Sequence, residues 1–597
     1  METVQKNTIK GGEFLIKDSA WQSVFTPEDW SEEQLMIAQT CKDFLEQEIM
    51  PNVEKIDEME AGLVPSLLIK AGELGLLGVS VPTEYGGLGL DFNTGMLVSE
   101  VTGAGHAFSV ALSAHTGIGT LPILYYGNEE QKAKYLPKLA TGEWKASYCL
   151  TEPNAGSDAN SGKTKAVLNA EGTHYVINGQ KMWITNAGFA DIFIVFAKID
   201  DDKNHSAFII EKNYPGITLN EEEKKMGIKG SSTRQVFFND CLVPKENLLS
   251  ERENGFKIAV NILNIGRIKL AAAVTGASKS TITYAAKYSN EREQFGRSIS
   301  KYGAIRHKLA EMAIRTFATE TASYRAGQNI DDAYEALVAG GMESTKAKLK
   351  SVEQFAVECA IMKVFASESL DFVVDEGVQI YGGMGYSAEA PMDRAYRDSR
   401  INRIFEGTNE INRMLTVDML LKRALKGELD LMRPAQAVAS ELLSIPDFGG
   451  DEDTSVLANE KRYLKNYKKA ALMIAGAAVQ KLMMTLSKEQ EILMNIADML
   501  IQIYVAESIL LRTEKAIATK GEAAASLYID MTKTFFFNAS EIISKAGKEA
   551  LYSFADGDEQ RVMLMGLKRF TKTEPINTKE TRRRVAEEII SKNQYPF

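Results

Sequence analysis

The chain reads as α+β and mostly α: a helical domain, a β domain, a helical bundle and a further helical domain, in that order. Three observations predict this. Apolar residues recur at spacings of three and four from about Ser31 to Tyr126. Between Tyr148 and about Leu249 the texture changes to short β-rich runs separated by Gly, Asn and Asp. Helical periodicity then returns after Gly255. A length of 597 residues agrees with several domains, since ~150 residues per domain gives three or four.

Taken in order, residues 1–30 form an N-terminal extension and 31–147 the N-terminal α domain, punctuated at Gly86-Gly87 and Gly127-Asn128. The middle β domain, 148–250, rests on runs such as Ile192-Phe193-Ile194-Val195-Phe196 and Ala207-Phe208-Ile209-Ile210. Within the bundle, 251–425, Phe355, Cys359, Met362, Ala366, Leu370 and Val373 fall at helical spacing on one stripe. A linker spans 426–460; the region has a basic start at Lys422, Arg423, Lys426 and Arg433 and ends acidic at Asp447, Asp451, Glu452 and Asp453. The additional C-terminal helical domain, 461–597, places Ile492, Ile496, Leu500 and Ile503 on one face.

A composition of 45% hydrophobic and 25% charged residues is that of a globular protein with a large core. The net charge of −11 opposes nucleic-acid binding, which needs a basic face. Cys41, Cys149, Cys241 and Cys359 lie far apart and read as buried free thiols of a reducing compartment. His106, His115, His174, His205 and His307 are equally dispersed, so spacing encodes no metal site. The opening Met1-Glu2-Thr3-Val4-Gln5-Lys6 lacks an apolar targeting core. No apolar run looks long enough to span a membrane. A cytoplasmic protein is expected.

Chemistry concentrates in Arg403-Ile404-Phe405-Glu406-Gly407-Thr408-Asn409-Glu410-Ile411. One carboxylate between apolar residues and a glycine is poorly solvated, which raises its basicity and suits it to removing a proton from carbon. Gly407 lets the backbone approach a ligand, so the Glu406 amide could donate to a substrate carbonyl. Taken alone, the segment is equally a solvated glutamate at a helix start. At the opening of the β domain, Tyr148-Cys149-Leu150-Thr151-Glu152-Pro153-Asn154-Ala155-Gly156-Ser157-Asp158 leads a strand into a turn of hydroxyls and free amides. Composition alone makes it an ordinary turn. Lys181-Met182-Trp183-Ile184-Thr185 sets an aromatic and a hydroxyl two apart on one strand face, although Trp183 is by default a core residue. The cluster Gly382-Gly383-Met384-Gly385 follows a helix without GxGxxG spacing, so a dinucleotide fingerprint is excluded.

Together the Tyr-x-x-Thr-Glu-Pro-x-x-Gly-Ser-Asp and Glu-Gly-Thr segments, in α–β–α order, closely resemble the acyl-CoA dehydrogenase family. With its extra C-terminal domain the chain is most similar to the very-long-chain members. The resemblance implies their fold, with a middle β-barrel or sandwich, a four-helix bundle and FAD as cofactor. It makes Glu406 the base. It assigns the flavin ring and pyrophosphate to Tyr148, Leu150, Thr151, Gly156, Ser157, Trp183 and Thr185. The adenosine half goes to Arg292, Gln294 and Phe295. Gln379, Gly382 and Gly383 reach the FAD of a neighbouring subunit, with Thr408 and Glu410 as further contacts. Such sharing implies a homodimer at least. Some relatives carry the base one residue before the arginine matched by Arg267. Here that position is Gly266, so Glu406 is the sole candidate. Asn264 and Arg267 match contacts to the CoA part of the substrate, although Arg267 could also simply pair with a local acid.

The implied reaction is α,β-dehydrogenation of a long-chain acyl-CoA to a trans-2-enoyl-CoA. It is the first step of β-oxidation and passes electrons to an electron-transfer flavoprotein. Glu406 would take the α-proton, its amide would polarise the thioester carbonyl, and Phe405, Ile404 and Trp183 would exclude water. Medium-chain relatives carry polar residues where this chain has Val110 and Ala114, so a deeper apolar pocket is expected. Very-long-chain relatives lie on membranes through a segment beyond the Glu-Gly-Thr helix. The acidic end of the linker favours a soluble enzyme here, with weak surface association left open. An acyl-CoA oxidase and a flavin-binding assembly protein are the rival readings. A monooxygenase on the same fold would have no use for Glu406.

Overall fold

The computed structural model describes residues 9–442 and 453–597. The centre of the expected linker and the first residues of the chain lie outside that range. The N-terminal helical domain includes the helices Phe92–Thr102 and His106–Ser113, which bring small residues and hydroxyls to the front of the bundle.

The β domain has eight strands: β1 (Ala146–Cys149), β2 (Lys165–Leu168), β3 (His174–Thr185), β4 (Ile192–Ile199), β5 (Ser206–Glu211), β6 (Ile217–Leu219), β7 (Thr233–Pro244) and β8 (Leu248–Leu249). Their order is β6–β7–β3–β2–β4–β5–β8, with β1 paired in parallel to β4. Side chains alternate across β4. Phe193, Val195 and Ala197 face a core shared with β3 and β7, whereas Ile192, Ile194 and Phe196 face the helices. The sheet is thus buried on both sides. Its outer layer is positioned against the bundle by an apolar strand, as the sequence texture predicted.

The bundle is built from the helices Gly255–Glu291, Gly303–Ala339, Ala356–Tyr381 and Asn409–Leu425. The predicted stripe from Phe355 to Val373 is buried. C-terminal helices Ala458–Leu482, Gln490–Lys520, Ser526–Phe554, Gly557–Phe570 and Thr578–Lys592 follow. Their apolar side chains join those of the bundle in one continuous core, in which Phe317 and Ile503 belong together. Buried ions reinforce the seam. Arg512 binds Glu320 at 2.8 Å and Glu28 at 2.8 Å, and Arg325 binds Glu507 at 2.7 Å.

The N-terminal stretch read as an extension is part of this seam. Phe14 and Leu15 are buried, Phe14 lies edge-on to Tyr504 at 5.1 Å, and Gly12 N donates to Glu358 at 2.7 Å.

One expectation is corrected: among the described residues four helical stretches are long and apolar enough to cross a membrane. Phe92–Tyr126, Gly255–Glu291 and Gln490–Lys520 are 72%, 72% and 78% buried within the protein, as expected of helices enclosed by neighbours. Ala458–Lys488 is 39% buried and leaves Met483 and Met484 exposed.

Candidate active site

Between the Gly255–Glu291 helix, the helices Phe92–Thr102, His106–Ser113 and Pro391–Ser399, and the end of β3 lies a cavity of about 190 Å³. Its wall follows the Gly255–Glu291 helix from Ile262 through Leu270 and Ala277 to Tyr284. At 1.5 Å per residue that wall runs ~33 Å. Val110, Ala114, Thr185, Phe405 and Glu406 all border the cavity.

Glu406 is held in a strained loop. Its φ is +59° and that of Gly407 is +80°, two consecutive left-handed residues before the Asn409–Leu425 helix. A glutamate pays about 1–3 kcal/mol for such a conformation, which persists only where the surroundings impose it. Here three side chains impose it through the backbone carbonyls. Arg267 Nε donates to Glu406 O at 3.1 Å, Lys363 Nζ to Gly407 O at 2.7 Å, and Asn412 Nδ2 to Gly407 O at 2.8 Å and Thr408 O at 3.0 Å. Thr408 Oγ1 caps the following helix by accepting from Ile411 N.

The carboxyl of Glu406 points at Gly266. A methyl group on Gly266 would come within 2.7 Å of Glu406 Oε2, so glycine there makes room for the base. Oε2 is buried with no hydrogen-bond partner. Burial pushes the carboxyl up to about 7, and the Arg267 and Lys363 charges pull it part of the way back. No acceptor within the described residues takes the Glu406 N–H. A proton acceptor and a free amide donor therefore sit at one residue.

Arg267 and Asn264 are turned inward. Arg267 Nη1 donates to Asn264 Oδ1 at 2.8 Å, and both are nearly fully buried. They serve the Glu406 turn instead of reaching outward to the polar part of a ligand. Among the described residues Arg267 forms no ion pair with an acid, and its charge acts on the Glu406 carboxyl only through space.

On the β side, Trp183 is 53% exposed and has φ +59°. The pairing of β3 with β7 slips by one residue between Lys181 and Ile184, and this bulge pushes Trp183 out of the core. Tyr148 is buried with its hydroxyl unpartnered, and burial together with the Glu406 charge keeps that hydroxyl protonated. Leu150 is buried and Thr151 half-buried, whereas Gly156 and Ser157 are exposed on the turn. Beneath that turn, buried Lys181 donates to Glu152 Oε1 at 2.7 Å and Leu150 O at 3.2 Å, while Glu152 accepts from Lys163 N and Thr164 N.

The remaining predicted residues form a separate exposed patch. Arg292, Gln294 and Phe295 occupy a hairpin, β9 (Glu293–Gln294) with β10 (Arg297–Ser298), and Phe295 is 94% exposed. Tyr288 stacks on Tyr381 at 4.0 Å, setting this hairpin beside exposed Gln379, Gly382 and Gly383. None of these borders the cavity. Glu410 is exposed at the start of its helix. Ile404 is 48% exposed and stands outside the cavity wall, so Phe405 alone of that pair shields the base.

Lys363, Asn412, Lys181 and Glu152 escaped the sequence reading. Lys363 had a signal, being a lone cation within Ile361-Met362-Lys363-Val364-Phe365.

Family models match the chain in four segments. The acyl-CoA dehydrogenase N-terminal domain covers 31–143, the middle domain 147–241, and two C-terminal domain models cover 253–421 and 466–569. A probable acyl-CoA dehydrogenase of Bacillus subtilis (strain 168) is 48% identical over 587 residues, 98% of each chain. The chain belongs to the acyl-CoA dehydrogenase family. The crystal structure of an acyl-CoA dehydrogenase complexed with FAD from Bacillus anthracis superposes with a TM-score of 0.96 at 48% identity, over 99% of this chain and 100% of that one. The very long-chain specific acyl-CoA dehydrogenase of Rattus norvegicus is 43% identical over 367 residues, 60% of this chain and 52% of that protein. This acyl-CoA dehydrogenase is accordingly an FAD-dependent oxidoreductase. Its own residues fit the cofactor: Trp183 is held outside the core, the Tyr148 hydroxyl is buried without a partner, and a side chain on Gly156, Gly382 or Gly383 would meet only open space.

Proposed function

We propose that this acyl-CoA dehydrogenase converts long-chain acyl-CoA to trans-2-enoyl-CoA as the first step of β-oxidation, with an electron-transfer flavoprotein as acceptor. The observation that carries this is the seat of Glu406: a buried, unpartnered carboxyl facing a long apolar cavity, with a free N–H on the same residue. Glu406 removes the α-proton of the thioester. The N–H of Glu406 donates to the thioester oxygen and stabilises the charge that develops there. Acceptance of the β-hydride is the chemistry that FAD supplies when bound. Arg267, Lys363 and Asn412 keep base and amide in register by fixing the turn between them. Phe405 and the aliphatic wall exclude water, which strengthens those bonds.

The chain-length reading rests on the cavity. Val110 and Ala114 give its lining small apolar side chains, and its wall follows the Gly255–Glu291 helix for ~33 Å, a length that suits a long acyl chain. The exposed Phe295–Gly383 patch, remote from the protomer's own cavity, supports a homodimer in which each subunit completes its partner's FAD site. Four unpaired, buried cysteines support a cytoplasmic location, with peripheral membrane contact secondary.

The test is anaerobic titration of the flavoprotein with acyl-CoA of increasing length, beside Glu406→Gln. Flavin bleaching by palmitoyl-CoA in the wild type and not in the variant is the expected result. A profile peaking at butyryl-CoA would overturn the chain-length reading. Flavin that no acyl-CoA bleaches would overturn the reaction.

A further inference from the structure

The acyl cavity contains a charge that a plain fatty acyl chain cannot use. Lys269 lies on the Gly255–Glu291 helix within Ile268-Lys269-Leu270, one turn beyond Gly266, and borders the cavity. Its amine crosses to the Phe92–Thr102 helix. There a methyl group on Gly95 would lie 3.6 Å from Lys269 Nζ, so the ammonium rests against the glycine face of that helix. Among the described residues Lys269 has no hydrogen-bond or ion-pair partner. The acids nearby in the fold are already engaged: Glu100 with Lys279 and Tyr324, Asp331 with Lys348, and Asp398 with His106. The charge that reaches it is the like charge of Lys348. Burial together with that repulsion pushes the amine down to about 8, leaving it mostly protonated at neutral pH.

An unpaired ammonium inside an apolar cavity is costly, and a hydrocarbon tail lying against it would desolvate it further. A hydroxyl on the ligand would satisfy one hydrogen bond and leave the charge uncompensated. A carboxylate satisfies both, through a charge-assisted bond.

We propose that Lys269 is the recognition point for a second carboxylate on the acyl chain, so that the cavity accepts dicarboxylic acyl-CoA thioesters as well as plain fatty acyl-CoA. This rests on the acyl-CoA reading above. It adds a substrate class and the residue that selects it. Dicarboxylyl chains that place their terminal carboxylate at Lys269 bind best, and chain length reports the distance from Glu406.

The experiment uses FAD-loaded Glu406→Gln protein, which binds without turnover, alone and combined with Lys269→Met or Lys269→Arg. Affinities are measured calorimetrically for carbon-matched pairs: octanoyl- and suberyl-CoA, decanoyl- and sebacyl-CoA, dodecanoyl- and dodecanedioyl-CoA. For at least one pair, Lys269→Met should lower the ratio of dicarboxylyl to monocarboxylyl affinity by about tenfold or more, the worth of a hydrogen bond to a charged group. Lys269→Arg, which keeps the charge, should retain most of that ratio. A ratio that Lys269→Met leaves unchanged at every length overturns the proposal, as does an equal loss of both partners of each pair. Palmitoyl-CoA bleaching of protein with Glu406 intact is run in parallel. Bleaching without Lys269-dependent discrimination sinks this inference and leaves the dehydrogenase reading standing. Absence of bleaching sinks that reading, and the affinity ratio still decides the role of Lys269.

Discussion

Glu406 carries its own pH signature. Catalysis needs the carboxylate, so kcat/KM should rise with pH through about 7, the value to which burial raises the group. Stability runs the other way. A carboxyl whose folded value exceeds its ordinary value near 4.5 favours the native state at low pH, and that contribution is lost as pH rises through about 7. Glu406→Gln removes the cost of burying the charge, so its melting temperature should exceed the wild type's above pH 7 and match it near pH 4. Equal melting at both would place the group in contact with solvent. Lys363→Met withdraws both the donor to Gly407 O and a charge that lowers the Glu406 carboxyl. Its expected signature is a lower kcat and a pH profile displaced upward, with about 1–3 kcal/mol of stability lost from the unsatisfied carbonyl. A profile that stays in place would deny Lys363 its influence on the base. Gly266→Ala intrudes on the Glu406 carboxyl directly and should reduce kcat more than KM. Glu406 was legible because its apolar neighbours and glycine are contiguous. Lys363 and Lys269 were not, because periodicity registers an apolar stripe and passes over one cation within it.

Among elements, β3 departs furthest from its sequence pattern. Alternation placed Trp183 and Thr185 on one face, but the bulge and the left-handed Trp183 arise from pairing with β7, which no local pattern encodes. Below the Thr151–Ser157 turn, Lys181 and Glu152 form a buried pair that fixes Leu150 and the loop after it. Lys181→Met leaves Glu152 charged and alone in the interior, a loss of roughly 3–5 kcal/mol. Purified protein should show a reduced ratio of flavin to protein absorbance and a lower melting temperature. Full flavin content together with lower melting would confine the pair to a structural role. The helices themselves were readable, since stripes such as Phe355 to Val373 lie on the face that is buried.

Across the whole molecule, the order of helices, sheet and helices followed from the texture of the chain. The union of the last helices with the bundle did not. That union depends on side chains hundreds of residues apart, among them Arg512 with Glu28 and Glu320. Arg512→Met leaves Glu28 without its cation in the seam, whereas Glu320 keeps Lys279, and should lower the melting temperature. Because the apolar core is continuous, unfolding should remain a single transition; two separated transitions would show that the C-terminal helices fold as an independent body.

The contacts of Phe14 and Glu28 with Tyr504 and Arg512 have a temporal consequence. Residues 9–30 leave the ribosome hundreds of residues before Tyr504 and Arg512, which they contact. During synthesis the N-terminal strand of chain must wait, exposed, while nearly the whole polypeptide is assembled behind it. A protease presented to stalled nascent chains should therefore clip residues 9–30 at every length that lacks the Gln490–Lys520 helix, and spare them once that helix has emerged. Assembly of this enzyme closes like a clasp, with residues 9–30 fastened by the bundle and by the Gln490–Lys520 helix together.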